Sequence, residues 1–355
     1  MAVVIRRKKK RARSIILALL LIIFCVLAYY QFLYKSPRVD KGVASLQLVF
    51  DKHRDIVTSV RFGPGDSLMV TSSVDSTIKI WNREFGQVIK EIKHPSGVAY
   101  MDLSNDGNYI VTGGYDSAAR LWNAHDGSLI KEFRGHSGTV WHVAISADNK
   151  MIASGGNDGI VNIWDAVTGK LLHRLGGHKR IVWSVKFSPD GTKLASSSFD
   201  FTFKLWNLAD GKLIWDNKEH GETVVDVAFS HDGKLLASTS DDKTIKIWDV
   251  ATHALIRTMK VPEHVQAVAF SPDDKRLMTG GRDKPLIGEF LQTILGDSKF
   301  NRGVSARLWN AETGELLQTF SRHANDVMDV AYSHNGKWVA TASADRTVEL
   351  WELNK

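Results

Sequence analysis

The feature that most constrains this chain is a tryptophan that recurs about every 42 residues. Successive members of the series are separated by 41, 42, 42, 42, 61 and 42 positions. A period of this length is typical of repeat architectures, in which each unit is one small supersecondary structure that packs on its neighbours. The series comprises seven residues: Trp81, Trp122, Trp164, Trp206, Trp248, Trp309 and Trp351.

Three further residue types keep a fixed distance from this tryptophan. An aspartate lies six positions before six of the tryptophans: Asp75, Asp116, Asp158, Asp200, Asp242 and Asp345. A hydroxyl residue lies four positions before each of these aspartates: Thr71, Thr112, Ser154, Ser196, Ser238 and Thr341. A histidine lies 22 positions before each of them: His53, His94, His136, His178, His220 and His323. Recurrence of four residue types in one register indicates a structural motif that is copied from unit to unit.

Between these markers the chain reads as short strands. In the fifth unit the pattern predicts strands at 224–229, 235–240, 244–248 and 255–259, separated by turn residues such as Asp232-Gly233. Runs of β-branched residues with turns every 8–12 residues are typical of an all-β fold. Four strands per unit, packed radially, leave no long exposed sheet edge.

The pattern resembles the WD-repeat family over residues 46–353. Gly135-His136 and Gly177-His178 resemble its Gly-His signature, and Trp164-Asp165 and Trp248-Asp249 resemble the dipeptide that names it. The resemblance implies a closed seven-bladed β-propeller with four strands per blade. It also implies that residues 46–50 form the outer strand of the last blade, so that both ends of the domain close the ring.

The same resemblance assigns the repeated residues a structural role. The histidine, hydroxyl, aspartate and tryptophan of each blade are expected to form one buried hydrogen-bonded network, whose members must satisfy one another. We therefore expect these histidines and aspartates to be scaffold rather than catalytic groups.

The sixth repeat departs from the pattern. Val261 stands where the other repeats have histidine, and Asp283 precedes Trp309 by 26 positions instead of six. The difference is an insertion at 284–303, between the second and third strands of the blade, whose apolar residues recur at helical spacing. Three interpretations stay open: a helix folded onto the propeller rim, a lip that docks a partner or a membrane, or an extended hairpin.

The amino-terminal segment predicts a membrane anchor. Residues 6–13 hold seven Arg or Lys, and the 21 residues 14–34 carry no charge. As a helix this run spans roughly 31 Å, enough to cross a bilayer core. We expect a basic tail at 1–13, a single transmembrane helix at 14–34 and a linker at 35–45. The positive-inside bias places the amino terminus in the cytoplasm and the propeller on the periplasmic, lumenal or extracellular side. Cleavage after Ala28 and a peripheral or inverted arrangement are the alternatives.

Charge distribution argues against nucleic acid as a partner. The chain has 46 Lys and Arg against 39 Asp and Glu, and residues 1–41 hold ten and one of these. The remaining residues therefore carry 36 basic and 38 acidic side chains, a net charge of −2. A domain that neutralises phosphates concentrates basic charge on its folded body.

The expected partners are other proteins, bound at the loops before the first strand and after the second strand of each blade. Aromatic and arginine side chains are abundant there, and such residues dominate interaction hot spots. The candidates are Tyr115, Trp141, Arg180, Trp183, Phe199, Phe201, Arg282 and, within the insertion, Phe290 and Leu291. The alternative is that some of these rings pack against the central channel.

The chain contains no phosphate loop, spaced metal-ligand set or nucleophile motif. We therefore expect no catalytic residue, cofactor or metal, and favour a membrane-anchored scaffold. The rival interpretation is an enzyme or small-ligand binder that uses the central channel, because propellers host many functions. Its candidate residues are Asp226, Asp329 and His142. A purely structural anchor is the third class.

Overall fold

The computed structural model describes residues 39–281 and 305–354, together with Leu21, Phe24 and Cys25. The described chain forms 28 β-strands, arranged as seven antiparallel sheets of four strands each, and one short 3-10 helix at Pro64–Asp66. The all-β fold and the seven blades with four strands each are therefore confirmed.

The first six blades each use four consecutive strands. Blades one to three comprise β2 (Val57–Phe62), β3 (Leu68–Ser73), β4 (Thr77–Asn82) and β5 (Gln87–Lys93); β6 (Val98–Leu103), β7 (Tyr109–Gly114), β8 (Ala118–Asn123) and β9 (Leu129–Arg134); and β10 (Val140–Ile145), β11 (Met151–Gly156), β12 (Val161–Asp165) and β13 (Leu171–Leu175). Blades four to six comprise β14 (Val182–Phe187), β15 (Lys193–Ser198), β16 (Phe203–Asn207) and β17 (Leu213–Asn217); β18 (Val224–Phe229), β19 (Leu235–Ser240), β20 (Thr244–Asp249) and β21 (Leu255–Lys260); and β22 (Val265–Phe270), β23 (Arg276–Gly281), β24 (Ala306–Asn310) and β25 (Leu316–Phe320).

Blade seven joins the two ends of the domain. It comprises β26 (Val327–Tyr332), β27 (Trp338–Ser343), β28 (Val348–Leu353) and, as its outer strand, β1 (Ala44–Phe50). β1 pairs antiparallel with β28, from Ala44 opposite Leu353 to Phe50 opposite Val348. Phe50 is 2% exposed and packs edge-on against Trp81 of blade one, with ring centroids 5.2 Å apart. The predicted closing strand is present and begins two residues before the expected position.

The residues just before β1 also belong to the folded body. Asp40 forms an isolated bridge to Gln318 on the outer strand of blade six. The amide of Val39 donates to Thr319 Oγ1 at 3.0 Å, and the amide of Thr319 donates to the carbonyl of Val39 at 2.7 Å. Val39 and Asp40, which lie in the predicted linker at 35–45, thus pair with the outer edge of β25.

Packing between neighbouring blades makes the core. Within blade five, the middle strand β19 is buried at every position after Leu235, because both of its faces contact an adjacent blade. Trp248 of blade five is 1% exposed and lies in one cluster with Leu205 and Phe203 of blade four. Small residues such as Ala237 alternate with these large ones, which allows the sheets to approach closely.

Every innermost strand carries a β-bulge one residue after its start. The pairing of β14 with β15 passes from Val182 to Ser184, so that Trp183 is the extra residue, and the other six blades show the same shift. A bulge re-aims its side chain out of the regular alternation. The seven bulge residues are Thr58, Ala99, Trp141, Trp183, Val225, Gln266 and Met328.

Two predicted segments fall outside the described residues. The insertion at 284–303 lies between β23 and β24, and its predicted helix, with Arg282, Asp283, Phe290 and Leu291, is outside the described chain. Most of the predicted anchor at 14–34 is also outside it. Across the parts of the chain that the structure describes, no helix has the length and hydropathy needed to span a bilayer.

Candidate functional site

The repeated polar residues meet inside each blade. In blade five, His220 Nδ1 lies 2.8 Å from Asp242 Oδ2 and His220 Nε2 lies 2.7 Å from Ser238 Oγ. The indole of Trp248 donates to the same hydroxyl at 2.9 Å. Three other blades show the same complete arrangement, in the sets His53–Thr71–Asp75–Trp81, His136–Ser154–Asp158–Trp164 and His178–Ser196–Asp200–Trp206.

In blade five the network satisfies its own histidine and aspartate. The side chain of His220 is fully buried, and Asp242 also accepts from Thr244 and from the amide of Gly221. Burial alone raises the pKa of Asp242, but the hydrogen bonds from His220 and Thr244 outweigh it and hold the pKa well below its usual value. The carboxylate is therefore a satisfied, charged structural group.

Blade two does not form the predicted contact between His94 and Asp116. The guanidinium of Arg120 takes the carboxylate instead, with nitrogen–oxygen distances of 3.0 and 2.5 Å. His94 Nδ1 turns to the carbonyl of Ser96 at 2.7 Å, while the indole of Trp122 still donates to the repeated hydroxyl at 2.9 Å. Asn162 stands at the equivalent position of blade three, where His136 contacts Asp158 at 3.0 Å.

Blades six and seven each lack one link. In blade seven His323 contacts Asp345 at 2.9 Å and Thr341 at 2.8 Å, but Trp351 Nε1 has no hydrogen-bond partner within the described chain. Trp351 therefore does not donate to Thr341 as the resemblance implies. Its ring packs edge-on against Phe320, at a centroid distance of 4.8 Å.

In blade six the indole of Trp309 donates to Thr279 Oγ1 at 3.0 Å, and the position of the missing histidine is filled by Val261, which is buried. Asp283 lies outside the described residues, so its predicted place in this network stays a prediction.

A second polar group of residues surrounds the central channel, and here the seven blades differ. A cavity of about 130 Å³ opens at the channel mouth, on the face that carries the loops between second and third strands. All seven bulge residues line it, together with Tyr100, His142, Asp226 and Asp329, which follow four of the bulges directly. The bulges were not predicted, because a one-residue shift leaves no mark in the 42-residue period.

Three of the predicted partner-binding residues form one side of this mouth, here called the aromatic rim: Tyr115, Trp141 and Trp183. The ring centroids of Tyr115 and Trp141 are 5.7 Å apart, and those of Trp141 and Trp183 are 4.8 Å apart. The two indoles are half-buried, and Tyr115 is 40% exposed. The rings thus line the channel mouth and remain accessible from outside.

The other described candidates lie beside the rim rather than in it. The guanidinium of Arg180 lies 5.3 Å from the ring centre of Phe199, a cation–π distance. Phe199 and Phe201 are both exposed, and Phe201 has a φ of 73°, an uncommon conformation for a bulky residue. Arg282, Phe290 and Leu291 cannot be placed relative to the rim, because they lie outside the described residues.

Within the channel, Arg61 forms hydrogen bonds to three polar side chains. Arg61 Nε donates to Asp102 at 3.0 Å, and its two terminal nitrogens donate to Asp329 at 2.7 Å and to the Tyr100 hydroxyl at 2.6 Å. The Tyr100 hydroxyl lies 3.2 Å from Lys186 Nζ. Arg61 thereby pairs the charges of two channel carboxylates.

Asp226 and His142 make no hydrogen bond to the side chain of Arg61, Tyr100 or Lys186 in the described structure. Asp226 accepts from Ser184 at 2.7 Å and from the amides of Val227 and Val268 at 2.9 and 3.0 Å, but makes no ion pair with any described residue. Burial raises the pKa of this carboxyl. Both ring nitrogens of His142 are buried without a hydrogen-bond partner in the described structure, and the ring stacks on Tyr100 at a centroid distance of 3.7 Å.

The channel residues do not form an acid–base arrangement. Burial and the charges of Lys186 and Arg61 hold the pKa of His142 well below its usual value, so the imidazole is neutral. No described carboxylate orients His142, and Asp329 is held by Arg61. A nucleophile–base–orienter set of the kind that hydrolases use is thus not assembled from these residues. The described residues also contain no cluster of three or more metal-ligating side chains.

Comparison with known proteins follows the blade boundaries. The model of the family described as WD domain, G-beta repeat matches seven segments: 44–82, 86–123, 127–165, 169–207, 211–249, 254–284 and 314–352.

Relatives include Protein HIRA of Homo sapiens, 35% identical over 91 residues, which is 26% of this chain and 9% of that protein. Protein HIR1 of Kluyveromyces lactis is 39% identical over 83 residues, 23% of this chain and 9% of that protein. Protein tipD of Dictyostelium discoideum is 33% identical over 93 residues, 26% of this chain and 12% of that protein. The matched segments therefore span about a tenth of the length of these relatives and correspond to little more than two blades.

Proposed function

Because the chain belongs to the WD40 family, by the seven matches to its WD domain, G-beta repeat model, we propose that it is a scaffold whose protein partner docks on the aromatic rim. The observation that carries this proposal is the placement of Trp141 and Trp183 on bulges. The equivalent bulges of blades one and two carry Thr58 and Ala99, which add little contact area. Large aromatic side chains held half-buried by a rigid ring offer contact area at low conformational cost.

The charge of the folded body supports a protein partner rather than nucleic acid. Residues 42–355 carry a net charge of −2, and the residues that line the channel mouth include two aspartates and no lysine or arginine. Phosphate binding depends on the opposite sign of charge.

The scaffold is tethered to a membrane through residues 14–34 in this proposal. Support comes from the uncharged 21-residue run and its basic flank, and from the exposed, helical Leu21 and Phe24 within it. The described body begins at Val39, which contacts blade six, so four residues, 35–38, lie between it and Tyr34. Such a linker spans at most about 18 Å, which keeps the propeller next to the bilayer. The basic flank orients the amino terminus to the cytoplasm and the propeller to the opposite side.

A photocrosslinking amino acid at position 141 or 183 tests the docking surface. We expect both positions to give the same specific adduct in cells. Position 85 is the matched control, because Phe85 is an aromatic residue that is 64% exposed and lies away from the channel mouth. Equal labelling from position 85, or adducts from position 85 alone, contradicts docking at the rim.

Protease treatment of sealed cells or vesicles, read with an antibody to the carboxyl terminus, tests the orientation. Digestion from outside is the expected result. Protection until detergent is added contradicts the proposed orientation and leaves the docking surface untouched, since the crosslinking result does not depend on which side faces the cytoplasm.

A further inference from the structure

The channel mouth combines aromatic rings and carboxylates but lacks a cation. Its described lining contains the aromatic rim, Asp226 and Asp329, and no lysine or arginine. Arg61 and Lys186 are not among the residues that line the cavity; both contact the hydroxyl of Tyr100, which does line it. The open side of the site is therefore acidic and aromatic.

The charge of Asp226 is the first unsatisfied feature. The residue is 6% exposed, and its three hydrogen bonds come from neutral donors. Burial raises the pKa of Asp226 and outweighs the charge of Lys186, which lowers it, and no described cation forms an ion pair with the carboxylate. A buried carboxylate whose charge is only partly compensated carries a desolvation cost that a further opposite charge offsets. Asp329, which also lines the cavity, differs from Asp226 because its charge is paired with Arg61 at 2.7 Å.

The imidazole of His142 is the second unsatisfied feature. The residue is 3% exposed, and a neutral imidazole offers one donor and one acceptor nitrogen. Buried polar atoms in folded proteins nearly always have a partner, so two unpartnered nitrogens beside an open cavity point to a group that enters from outside.

We infer that the channel mouth is a pocket for one arginine side chain of the docking partner, which places its guanidinium between the aromatic rim, Asp226 and His142. This inference rests on the proposed function, since it assigns the chemistry of the partner at the same face.

A guanidinium fits each element of the pocket. Its face stacks on tryptophan and tyrosine rings, and its five donors reach a carboxylate and an acceptor nitrogen together. Lysine offers a compact charge with three donors and a weaker stacking surface. The cavity of about 130 Å³ is close to the roughly 150 Å³ that admits a benzene-sized group, so it takes one side-chain head and excludes a folded segment.

The test uses the full chain in detergent micelles, labelled with fluorotryptophan, and three small probes. The probes are N-acetyl-arginine amide, N-acetyl-lysine amide and N-acetyl-citrulline amide, the last being a neutral analogue of arginine with nearly the same shape. We expect saturable shifts of the Trp141 and Trp183 resonances with arginine, weaker ones with lysine, and an affinity for citrulline lower by about tenfold or more. Equal binding of citrulline overturns the inference, and this comparison needs no substitution.

Two variants locate the charge that the probe recognises. Asp226→Asn is expected to weaken arginine binding by about tenfold or more, whereas Asp102→Asn, which removes a channel carboxylate that does not line the cavity, changes it less than about twofold. Arginine binding that survives Asp226→Asn contradicts the assignment.

A partner-derived arginine and a free guanidinium compound share this chemistry, and a partner peptide separates them. A peptide from the crosslinked partner that binds at least tenfold more tightly than N-acetyl-arginine amide, and loses that gain when its arginine becomes citrulline, supports the docked side chain. Crosslinks at positions 141 and 183 without any arginine dependence overturn the inference and leave the docking proposal standing. Absence of those crosslinks removes the docking proposal itself.

Discussion

This propeller contains two sets of buried histidines and aspartates, and the sets differ in how completely their polar atoms and charges are paired within the protein. In blade five, both nitrogens of His220 have partners and Asp242 is surrounded by donors. At the channel mouth, neither nitrogen of His142 has a partner in the described structure, and Asp226 has no ion pair there. The recurring histidine and aspartate of blade five therefore bind one another inside the fold. His142 and Asp226, whose positions hold other residue types in most blades, keep groups that a ligand can bind.

The pKa shifts follow the same division. Hydrogen bonds from His220 and Thr244 overcome burial and lower the pKa of Asp242, whereas burial dominates at Asp226 and raises its pKa. One blade thus holds a carboxylate that stabilises the fold as an anion and another that is costly as an anion.

The largest expected effect comes from opening the ring, because both sets depend on closure. Deletion of β1 leaves β28 paired with β27 alone, and it removes Phe50, which uncovers the face of Trp81 that Phe50 contacts. We expect a loss on the order of 5 kcal/mol or more, most of the stability of a typical domain. Urea unfolding followed by tryptophan fluorescence measures it. A chain lacking residues 1–38 is the control, and a β1 deletion that unfolds at the same urea concentration as this control contradicts closure by β1.

The next effect separates the two aspartates of blade five. Asp242→Asn weakens charged hydrogen bonds to His220 and Gly221 and is expected to cost about 2 kcal/mol. Asp226→Asn relieves a buried charge and is expected to change stability by less than about 1 kcal/mol. Urea unfolding of both variants at neutral pH gives the comparison. Equal losses of unfolding free energy in the two variants contradict the proposed difference between the network aspartate and the channel aspartate.

The pH dependence of stability sharpens the same contrast. The pKa of Asp345 is lowered to about 2 in the fold, where burial raises it but His323 and Thr347 dominate. Asp345 therefore contributes about 2 kcal/mol to the free energy of unfolding above pH ~4. This contribution is lost as the pH falls toward ~2, because the unfolded chain binds a proton at this carboxyl more readily than the folded chain does. The pKa of Asp226 is raised in the folded state, so the folded chain holds this proton to a higher pH than the unfolded chain does. The carboxyl therefore lowers the free energy of unfolding increasingly as the pH rises above ~4.

Unfolding free energies of three proteins between pH 3 and pH 7 check these signs. Relative to the unsubstituted chain, Asp345→Asn is expected to lose more stability at pH 7 than at pH 3, and Asp226→Asn is expected to gain relative stability as the pH rises. The same trend in both variants contradicts the assigned directions.

Much of this division was visible in the sequence. The period of the tryptophans and the spacing of His, Asp and hydroxyl residues predicted the repeated units, because each unit must repeat the same packing. The resemblance to the WD-repeat family implied the closed ring and its closing strand. Tyr115, Trp141, Trp183 and Phe199 were among the predicted partner-binding residues. Neighbouring ring centroids of the first three lie within 5.7 Å of each other, whereas Phe199 lies beside them, against Arg180.

The rest depended on contacts that spacing does not encode. Arg120 binds Asp116 through two hydrogen bonds, and the spacing of the repeat does not encode that contact. The bulges that aim Trp141 and Trp183 at the channel are shifts in pairing, which the period of the sequence does not reveal. The attachment of Val39 to blade six depends on which sheet edge is open.

The smallest expected effect lies within the repeated set itself. Trp248→Phe removes an indole that donates to Ser238, whereas Trp351→Phe removes one that has no partner in the described chain. Both lose similar apolar area, so the first substitution is expected to cost about 1 kcal/mol more than the second. Thermal or urea unfolding resolves a difference of that size, and equal costs contradict the unbonded indole in blade seven.

The most direct test of the account measures stability and binding on the same two proteins. Asp242→Asn and Asp226→Asn are each unfolded in urea and, while folded, titrated with N-acetyl-arginine amide. The account predicts that Asp242→Asn is destabilised and binds like the unsubstituted chain, and that Asp226→Asn keeps its stability and loses binding. Binding lost in Asp242→Asn and retained in Asp226→Asn would contradict the separation of scaffold from site.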